Sequence, residues 1–304
     1  MDKTRGFITI ATGKEEYYRL AQNLLRSYRY FCSDPLPFAL LCDRENEYTK
    51  AFDDVILFRN GAANSYLDKL ELADYQPYDE TIFIDADCLA YGDLNMLFAE
   101  FAASDDISCY GRTLPLDDKT GWFEYENLGT WQSRVSYVVG LHGGIYYLRR
   151  GKTVKAVFDT ARQLVPDYAQ FRFKGKFTNP GDEPLVALAM AIQGCHPTPF
   201  RGGTICCYWE HADDLEIDIS TGTARLRSNP DTSYNLMHWG TRYTRALEYR
   251  RQLELLDILE QRLPDPSGAI RSCNRKYSRL FRAEKRKRFL NRVKNKIRRT
   301  LNRK

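Results

Sequence analysis

The chain lacks any apolar run long enough to cross a bilayer, and its mean hydropathy of −0.53 argues against a transmembrane span. No extended apolar stretch follows the charges of MDKTRGFITIATG, so no secretory signal is expected. Gly-x-Gly-x-x-Gly is missing, which removes the dinucleotide fingerprint. None of the eight cysteines, at 32, 42, 88, 109, 195, 206, 207 and 273, falls in a Cys-x-x-Cys pair. They read as ordinary buried thiols of a reducing cytoplasm. Histidine is scarce, with four in the chain, so few imidazoles are available for chemistry.

At 304 residues with 43% hydrophobic content, the chain can bury a substantial core as one large α/β domain or two small ones. The net charge of +5 hides an asymmetry. From Arg271 to the end there are 16 basic residues and one acid, Glu284, leaving −10 on everything before. An acidic body therefore carries a basic tail. The expected division is residues 1–263 as a catalytic-type domain and 264–304 as linker and tail, with Pro264, Pro266 and Gly268 as the linker.

The stretch around which the chain is organised is Thr81–Leu89, TIFIDADCL. Ile82, Phe83 and Ile84 form an apolar run suited to a strand covered on both faces. Asp85 and Asp87 follow at once, where open α/β sheets bind ligands. Strand alternation puts both carboxylates on one side of the small Ala86. Two hard anionic ligands there suit a divalent cation, Mg²⁺ or Mn²⁺, which in turn holds a diphosphate. The plain alternative is a solvated turn. Upstream, Gly6–Thr12 reads as a first strand, Glu15–Phe31 as a helix with Leu20, Leu24, Leu25 and Tyr28 in register, and Phe38–Cys42 and Val55–Phe58 as further strands. The alternation predicts a mostly parallel sheet.

The segment Leu67–Phe98 resembles glycosyltransferase family 8, the glycogenin and bacterial galactosyltransferase group. The matching features are Lys69-Leu70, Tyr78, the strand Ile82–Ile84, Asp85-Ala86-Asp87 and Leu97-Phe98. The resemblance implies a GT-A fold, a UDP-sugar donor and retention of anomeric configuration. It places Ala11, Thr12 and Tyr17 along the uridine and Lys69, from a helix spanning 65–72, toward donor sugar or phosphate. Where the family has Asn-Ser-Gly against the sugar, this chain has His142-Gly143-Gly144; where it has Asp-Gln opening a helix below the anomeric carbon, this chain has Asp182-Glu183. The resemblance makes His238 the third metal ligand, and imidazole beside two carboxylates suits Mn²⁺ better than Mg²⁺. The family's Gly and Lys after that histidine are replaced by Gly240 and by Arg242 or Arg245, whose guanidinium matches phosphate oxygens. His196 and His211 have no such support.

Other stretches carry readings from composition. Arg112–Arg134, with Trp122, Phe123, Tyr125 and Trp131 among Asp117, Asp118, Glu124 and Glu126, has the aromatic faces and acceptors that bind sugars; a locally packed loop is the alternative. Glu183 is a carboxylate where the family carries an amide, so it is a candidate nucleophile or stabiliser of an oxocarbenium-like centre, and Asp182 accompanies it. A helix cap remains the other reading of Asp182. Thr244–Leu263 reads as a helix, and Leu290, Val293, Ile297 and Leu301 recur at helical spacing among bases. That basic amphipathic tail suits an anionic membrane surface, against an RNA-binding arm or a solvated tail.

The expectation is a metal-dependent retaining hexosyltransferase acting on a glycan or lipid-linked acceptor, in polysaccharide or lipopolysaccharide synthesis. It is expected in the cytoplasm, peripheral on the membrane's inner face. A nucleotidyltransferase and a non-catalytic protein with an RNA- or membrane-binding tail remain as alternatives.

Overall fold

The computed structural model describes residues 4–173 and 180–301, with side chains of the last helix only in part beyond Lys287. The chain divides into two compact units, Met1–Cys206 with Tyr234–His238, and Cys207–Ser233 with Trp239–Lys304. The expected linker, residues 264–268, lies inside the second unit.

The first unit runs β1 (Arg5–Ala11), α1 (Glu15–Phe31), β2 (Phe38–Cys42), β3 (Asp54–Leu57), α2 (Leu72–Tyr75), β4 (Glu80–Ile84), β5 (Cys88–Ala90) and α3 (Leu97–Glu100). It continues β6 (Ile107–Ser108), β7 (Tyr110–Leu114), β8 (Val138–Leu141), β9 (Ile145–Arg149), α4 (Lys152–Leu164), α5 (Tyr168–Phe171), α6 (Asp182–Gln193), β10 (Thr198–Pro199) and β11 (Ile205–Cys207). Then come α7 (Tyr208–His211), β12 (Leu215–Asp218), β13 (Thr223–Leu226) and β14 (Asn229–Ser233) of the second unit. The strand β15 (Leu236–His238) returns to the first, and α8 (Leu247–Glu260) and α9 (Ser267–Leu301) complete the second.

Six strands form the central sheet in the order β3-β2-β1-β4-β9-β6. β1, β2, β3 and β4 are parallel, and β9 pairs antiparallel with β4 and β6. The chain passes from β1 to β2 on one side and later to β4 on the other. The crevice between β1 and β4 is therefore the topological switch point, where α/β sheets bind ligands. Thr12 and Asp85 follow those two strands directly.

The apolar runs FALLC and ETIFI are buried along their whole length, as strands covered on both faces must be. Alternation sends Ile8, Ala39, Leu41 and Phe83 into one core, shared with α4 and α6. Phe7, Leu40, Ile82 and Ile84 enter the other, shared with α1 through Leu24, Leu25 and Tyr28. Phe7 meets Tyr28 at 4.9 Å and Phe98 at 5.4 Å between ring centroids. Leu185–Ala191 of α6 is buried on every side, the pattern of a helix sunk in a core rather than lying on it.

Three local expectations are refined. The helix expected over 65–72 is a 3₁₀ segment, Tyr66–Glu71, leading into α2. The tight turn lets Asp68 reach back to Thr12 and Ala63 while Lys69 points inward. The aromatic segment 112–134 packs in part against the core. Phe123 is fully buried, Trp122 Nε1 donates to the Leu141 carbonyl at 2.9 Å, and Trp122, Tyr125 and Trp131 lie against the core. Two of its acids are engaged nearby: Asp118 by Thr120 and Glu126 by Lys119. In the second unit, α8 begins at Leu247 and buries Leu255, Leu256 and Leu259.

The tail is not wholly solvated. Cys273 and Tyr277 of α9 are buried. Arg251 of α8 donates to Asn274 at 2.9 Å, and Lys276 meets Glu254 at 2.5 Å. Further on, Phe289 and Leu290 are exposed. The side chains of Val293, Ile297 and Leu301, on which the amphipathic reading also rests, lie outside the described residues, as does Asn179. Among the described residues, no helix is long and apolar enough to cross a membrane. All eight cysteines are buried, and none is joined in a disulfide.

Candidate functional site

The site forms where β4 ends. The strand stops at Ile84, and residues 85–87 turn rather than extend. The Asp85 amide donates to the Gly144 carbonyl at 3.0 Å, and the Cys88 amide to the Asp85 carbonyl at 3.1 Å. Asp85 and Asp87 thus come together through a pinned turn, not through strand alternation. Antiparallel pairing of β5 with β15, in the register Leu236–Ala90, Met237–Leu89 and His238–Cys88, delivers His238 from far along the chain. Its Nε2 lies 3.1 Å from Asp87 Oδ1 and 3.6 Å from Asp85 Oδ2. Two carboxylates and an imidazole nitrogen so arranged fit a divalent cation of hard or borderline character.

Lys69 links this group to a second acidic pair. Its Nζ is 2.8 Å from Asp85 Oδ1, 3.1 Å from Asp182 Oδ2 and 3.3 Å from the Gly143 carbonyl. Its side chain is only 13% exposed, so Lys69 is not a solvated surface charge. Burial alone would lower the Lys69 pKa, but Asp182 and Asp85 outweigh it and hold the ammonium charged. Burial pushes Asp85 up, against Lys69 and His238. For His238, burial acts downward but the hydrogen bond and charge of Asp87 prevail and raise it.

Asp182 and Glu183 open α6, as the resemblance implies. The N-cap is Gly181. Asp182 instead accepts from Tyr146 Oη at 3.2 Å and pairs with Lys69. Glu183 Oε1 accepts from the Gly143 amide at 2.5 Å. Burial, and then the charge of Asp182, push the Glu183 carboxyl up to about 7.

The Gly143–Gly144 turn joins the two halves. A Cβ on Gly143 would fall 2.2 Å from Glu183 Cγ and 2.8 Å from Tyr146 Oη. One on Gly144 would fall 2.6 Å from His142 Cε1 and 2.8 Å from His238 Nδ1. Glycine is required here for close approach rather than for an unusual backbone angle. His142 Nδ1 accepts from the Gly144 amide at 3.1 Å, and its Nε2 is 3.4 Å from His238 Nδ1. Burial, then the neighbouring His238, lower the His142 pKa to about 3, so the ring is neutral.

No protein-family model and no curated protein matches the sequence. Solved structures do. The galactosyltransferase LgtC, in complex with donor and acceptor sugar analogues, superposes with a TM-score of 0.52 at 12% identity, covering 83% of this chain and 95% of that one. The fold is that of the GT-A glycosyltransferases. An active-site Gln-to-Glu mutant of LgtC gives 0.50 at 13% identity over 82% of this chain and 94% of that one. The bifunctional glycosyltransferase WbbM, in its apo form, gives 0.49 at 13% identity over 79% of this chain, which spans 46% of WbbM.

Within the GT-A unit, the remaining expected residues take these places. Ala11 is buried at the end of β1, and Thr12 Oγ1 donates to Asp68 Oδ2 at 2.8 Å. Tyr17 is partly buried against the α1 core. Ala86 is half-buried in the turn between the two aspartates. Gly240 and Arg242 belong to the second unit. There Gly240 has φ of 68° against the Trp209 ring, and Arg242 lies over Tyr243 at 5.8 Å. His196 and His211 are partnered by Asp105 and Glu210.

Two residues with a bearing on the site had no signal in the sequence. Asp68 is buried, and its other oxygen accepts from the Ala63 amide at 2.7 Å, tying the loop before Lys69 to Thr12. Tyr146 looks like any strand tyrosine in IYYLR. Only the position of α6 shows that its hydroxyl holds Asp182 while its ring stacks on Phe83 at 5.8 Å.

Proposed function

We propose that this chain is a metal-dependent, retaining glycosyltransferase that moves a hexose from a UDP-sugar to a glycan or lipid-linked acceptor. The observation that carries the reading is one constellation at the switch point of a GT-A sheet. Asp85, Asp87 and His238 converge on one side of Lys69, and Asp182 with Glu183 on the other. The neighbour solved with donor and acceptor sugar analogues supports the same pairing of substrates.

In this reading Asp85, Asp87 and His238 would hold Mn²⁺, or Mg²⁺ more weakly. The bound ion supplies Lewis acidity that stabilises a departing nucleoside diphosphate. Ala11, Thr12 and Tyr17 line the nucleoside, and the Gly143–Gly144 backbone approaches the sugar. Lys69 fixes Asp85 and Asp182 relative to each other, which keeps the two halves of the site in register. Glu183 acts at the anomeric carbon. Its raised pKa leaves the group about half ionised near neutral pH, and the ionised form is a basic carboxylate suited to covalent attack or to stabilising positive charge. The active-site Gln-to-Glu mutant of LgtC carries the same kind of carboxylate in that protein. The basic helix α9 takes the chain to an anionic membrane surface from the cytoplasmic side.

The test is calorimetric binding of UDP, GDP and CDP with and without Mn²⁺, with Asp85→Ala as control. The reading expects Mn²⁺-dependent, UDP-selective binding that the substitution abolishes, followed by hydrolysis of a UDP-sugar. Absence of metal-dependent binding of any nucleotide would overturn it. Pyrophosphate release from a nucleoside triphosphate would replace it with nucleotidyl transfer.

A further inference from the structure

We propose that Asp87, Cys88 and His238 form a second, softer donor set that takes Zn²⁺, or another thiophilic divalent ion, at the edge of the proposed Mn²⁺ site. The ladder of β5 with β15 sets Cys88 opposite His238. One ligand atom from each of the three side chains, the Cys88 Sγ among them, lies within 4.8 Å of the other two. Metal–ligand bonds of about 2.0–2.3 Å at tetrahedral angles need donors about 3.3–3.8 Å apart. Side-chain movements of about 1 Å therefore close the set. Asp85, 3.6 Å from His238 Nε2, is within reach as a fourth donor.

Burial does not distinguish Cys88, since all eight thiols are buried. Its neighbours do: the chain puts an imidazole and a carboxylate beside it. A thiolate with an imidazole favours Zn²⁺ over Mn²⁺, both by ligand softness and by the order of divalent affinities. Binding releases the thiol proton to solvent and leaves the sulfur as an anionic ligand. The ion enters past Asp87, whose side chain is 12% exposed, because Cys88 itself is closed off. The softer set uses two of the three ligands of the harder one, so the two ions exclude each other. Zn²⁺ is then an inhibitor of Mn²⁺-dependent nucleotide binding, a consequence that rests on the function proposed above.

Cobalt(II) is the probe, because a thiolate ligand gives it a sulfur-to-metal charge-transfer band in the near ultraviolet. The full chain, with thiols reduced, is titrated with Co²⁺. The expected result is a saturable band at one equivalent, displaced by Zn²⁺ and retained in Cys195→Ser. It should vanish in both Cys88→Ser and Cys88→Ala, with circular dichroism verifying that the variants are folded. No band in the wild-type chain, or a band that survives both Cys88 substitutions, overturns the proposal. Nucleotide calorimetry with Mn²⁺ on the wild-type chain is read separately, so the softer site and the proposed transferase function can fail independently.

Discussion

Two neighbouring glycines give a test that separates the halves of the site. Neither Gly143 nor Gly144 has a positive φ, so alanine is compatible with both backbones and its effect is steric. In Gly143→Ala the new methyl lies 2.2 Å from Glu183 Cγ. Ordinary carbon contacts begin near ~3.5 Å, so Glu183 must retreat by over ~1 Å and its 2.5 Å bond from the Gly143 amide is lost. A hydrogen bond to a charged group contributes about 1.5–3 kcal/mol, and overpacking costs a similar amount, but a side chain that can swing away recovers part of both. We expect a stability loss of about 2 kcal/mol. Misplacement of a reacting group by ~1 Å costs about 100-fold in rate, while Mn²⁺-dependent UDP binding should stay within about threefold, since no metal ligand is touched. In Gly144→Ala the methyl meets His142 Cε1 at 2.6 Å and His238 Nδ1 at 2.8 Å. Those rings are tightly packed, so nucleotide binding with Mn²⁺ should itself fall, by about tenfold or more. Calorimetry and a UDP-sugar turnover assay on both variants decide the matter. Normal turnover in Gly143→Ala, or identical defects in the two variants, would refute the division.

The other predictions concern single groups. The Glu183 carboxyl sits at about 7 in the folded chain against an ordinary 4.5, so the protein loses stability as pH rises through that interval. Glu183→Gln should therefore unfold later than wild type at pH 8, by on the order of 3 kcal/mol, with the difference fading below about pH 4.5; the same variant should lose transfer activity if Glu183 is the nucleophile. An unchanged denaturation midpoint at pH 8 would contradict the buried, acid-crowded environment. Tyr146→Phe keeps the stack on Phe83 but removes the hydroxyl from Asp182. It should lower kcat about tenfold with KM little changed, and a rise in KM alone would assign Tyr146 to substrate binding instead. Lys69→Met leaves Asp85 and Asp182 buried without their shared cation, at a cost of about 3–5 kcal/mol near neutral pH. Thermal melts should show that cost shrinking in acid, as the carboxylates protonate. Deleting 286–304 should leave the melting temperature in place, whereas deleting 271–304 should lower it, because Cys273 and Tyr277 are buried.

Much of the framework was legible along the chain because strands covered on both faces and helices with one apolar stripe leave local signatures. FALLC gave β2, EEYYRLAQNLLRSYRYF gave α1, and TIFI followed by Asp-Ala-Asp marked the strand end that carries the acids. Helix α6 opens at Asp182, where the family resemblance put a helix start. The aromatic segment 112–134 shows a limit of composition, which does not say which face of a ring is covered: the core takes Phe123 whole and Trp122, Tyr125 and Trp131 in part.

The sequence by itself determined which side chains could do chemistry, namely the Asp85–Asp87 pair, His238, Lys69 and the Asp182–Glu183 pair, since donor type and charge are properties of single residues. Only the tertiary structure decided what each one faces. The β5–β15 ladder brings His238 across some 150 residues to Asp87. The inward 3₁₀ turn makes Lys69 a bridge instead of a surface charge, and the bare Gly143–Gly144 turn lets Glu183, His142 and His238 close around it. Those are contacts between segments distant in sequence, set by strand register and packing volume, and no local pattern encodes either.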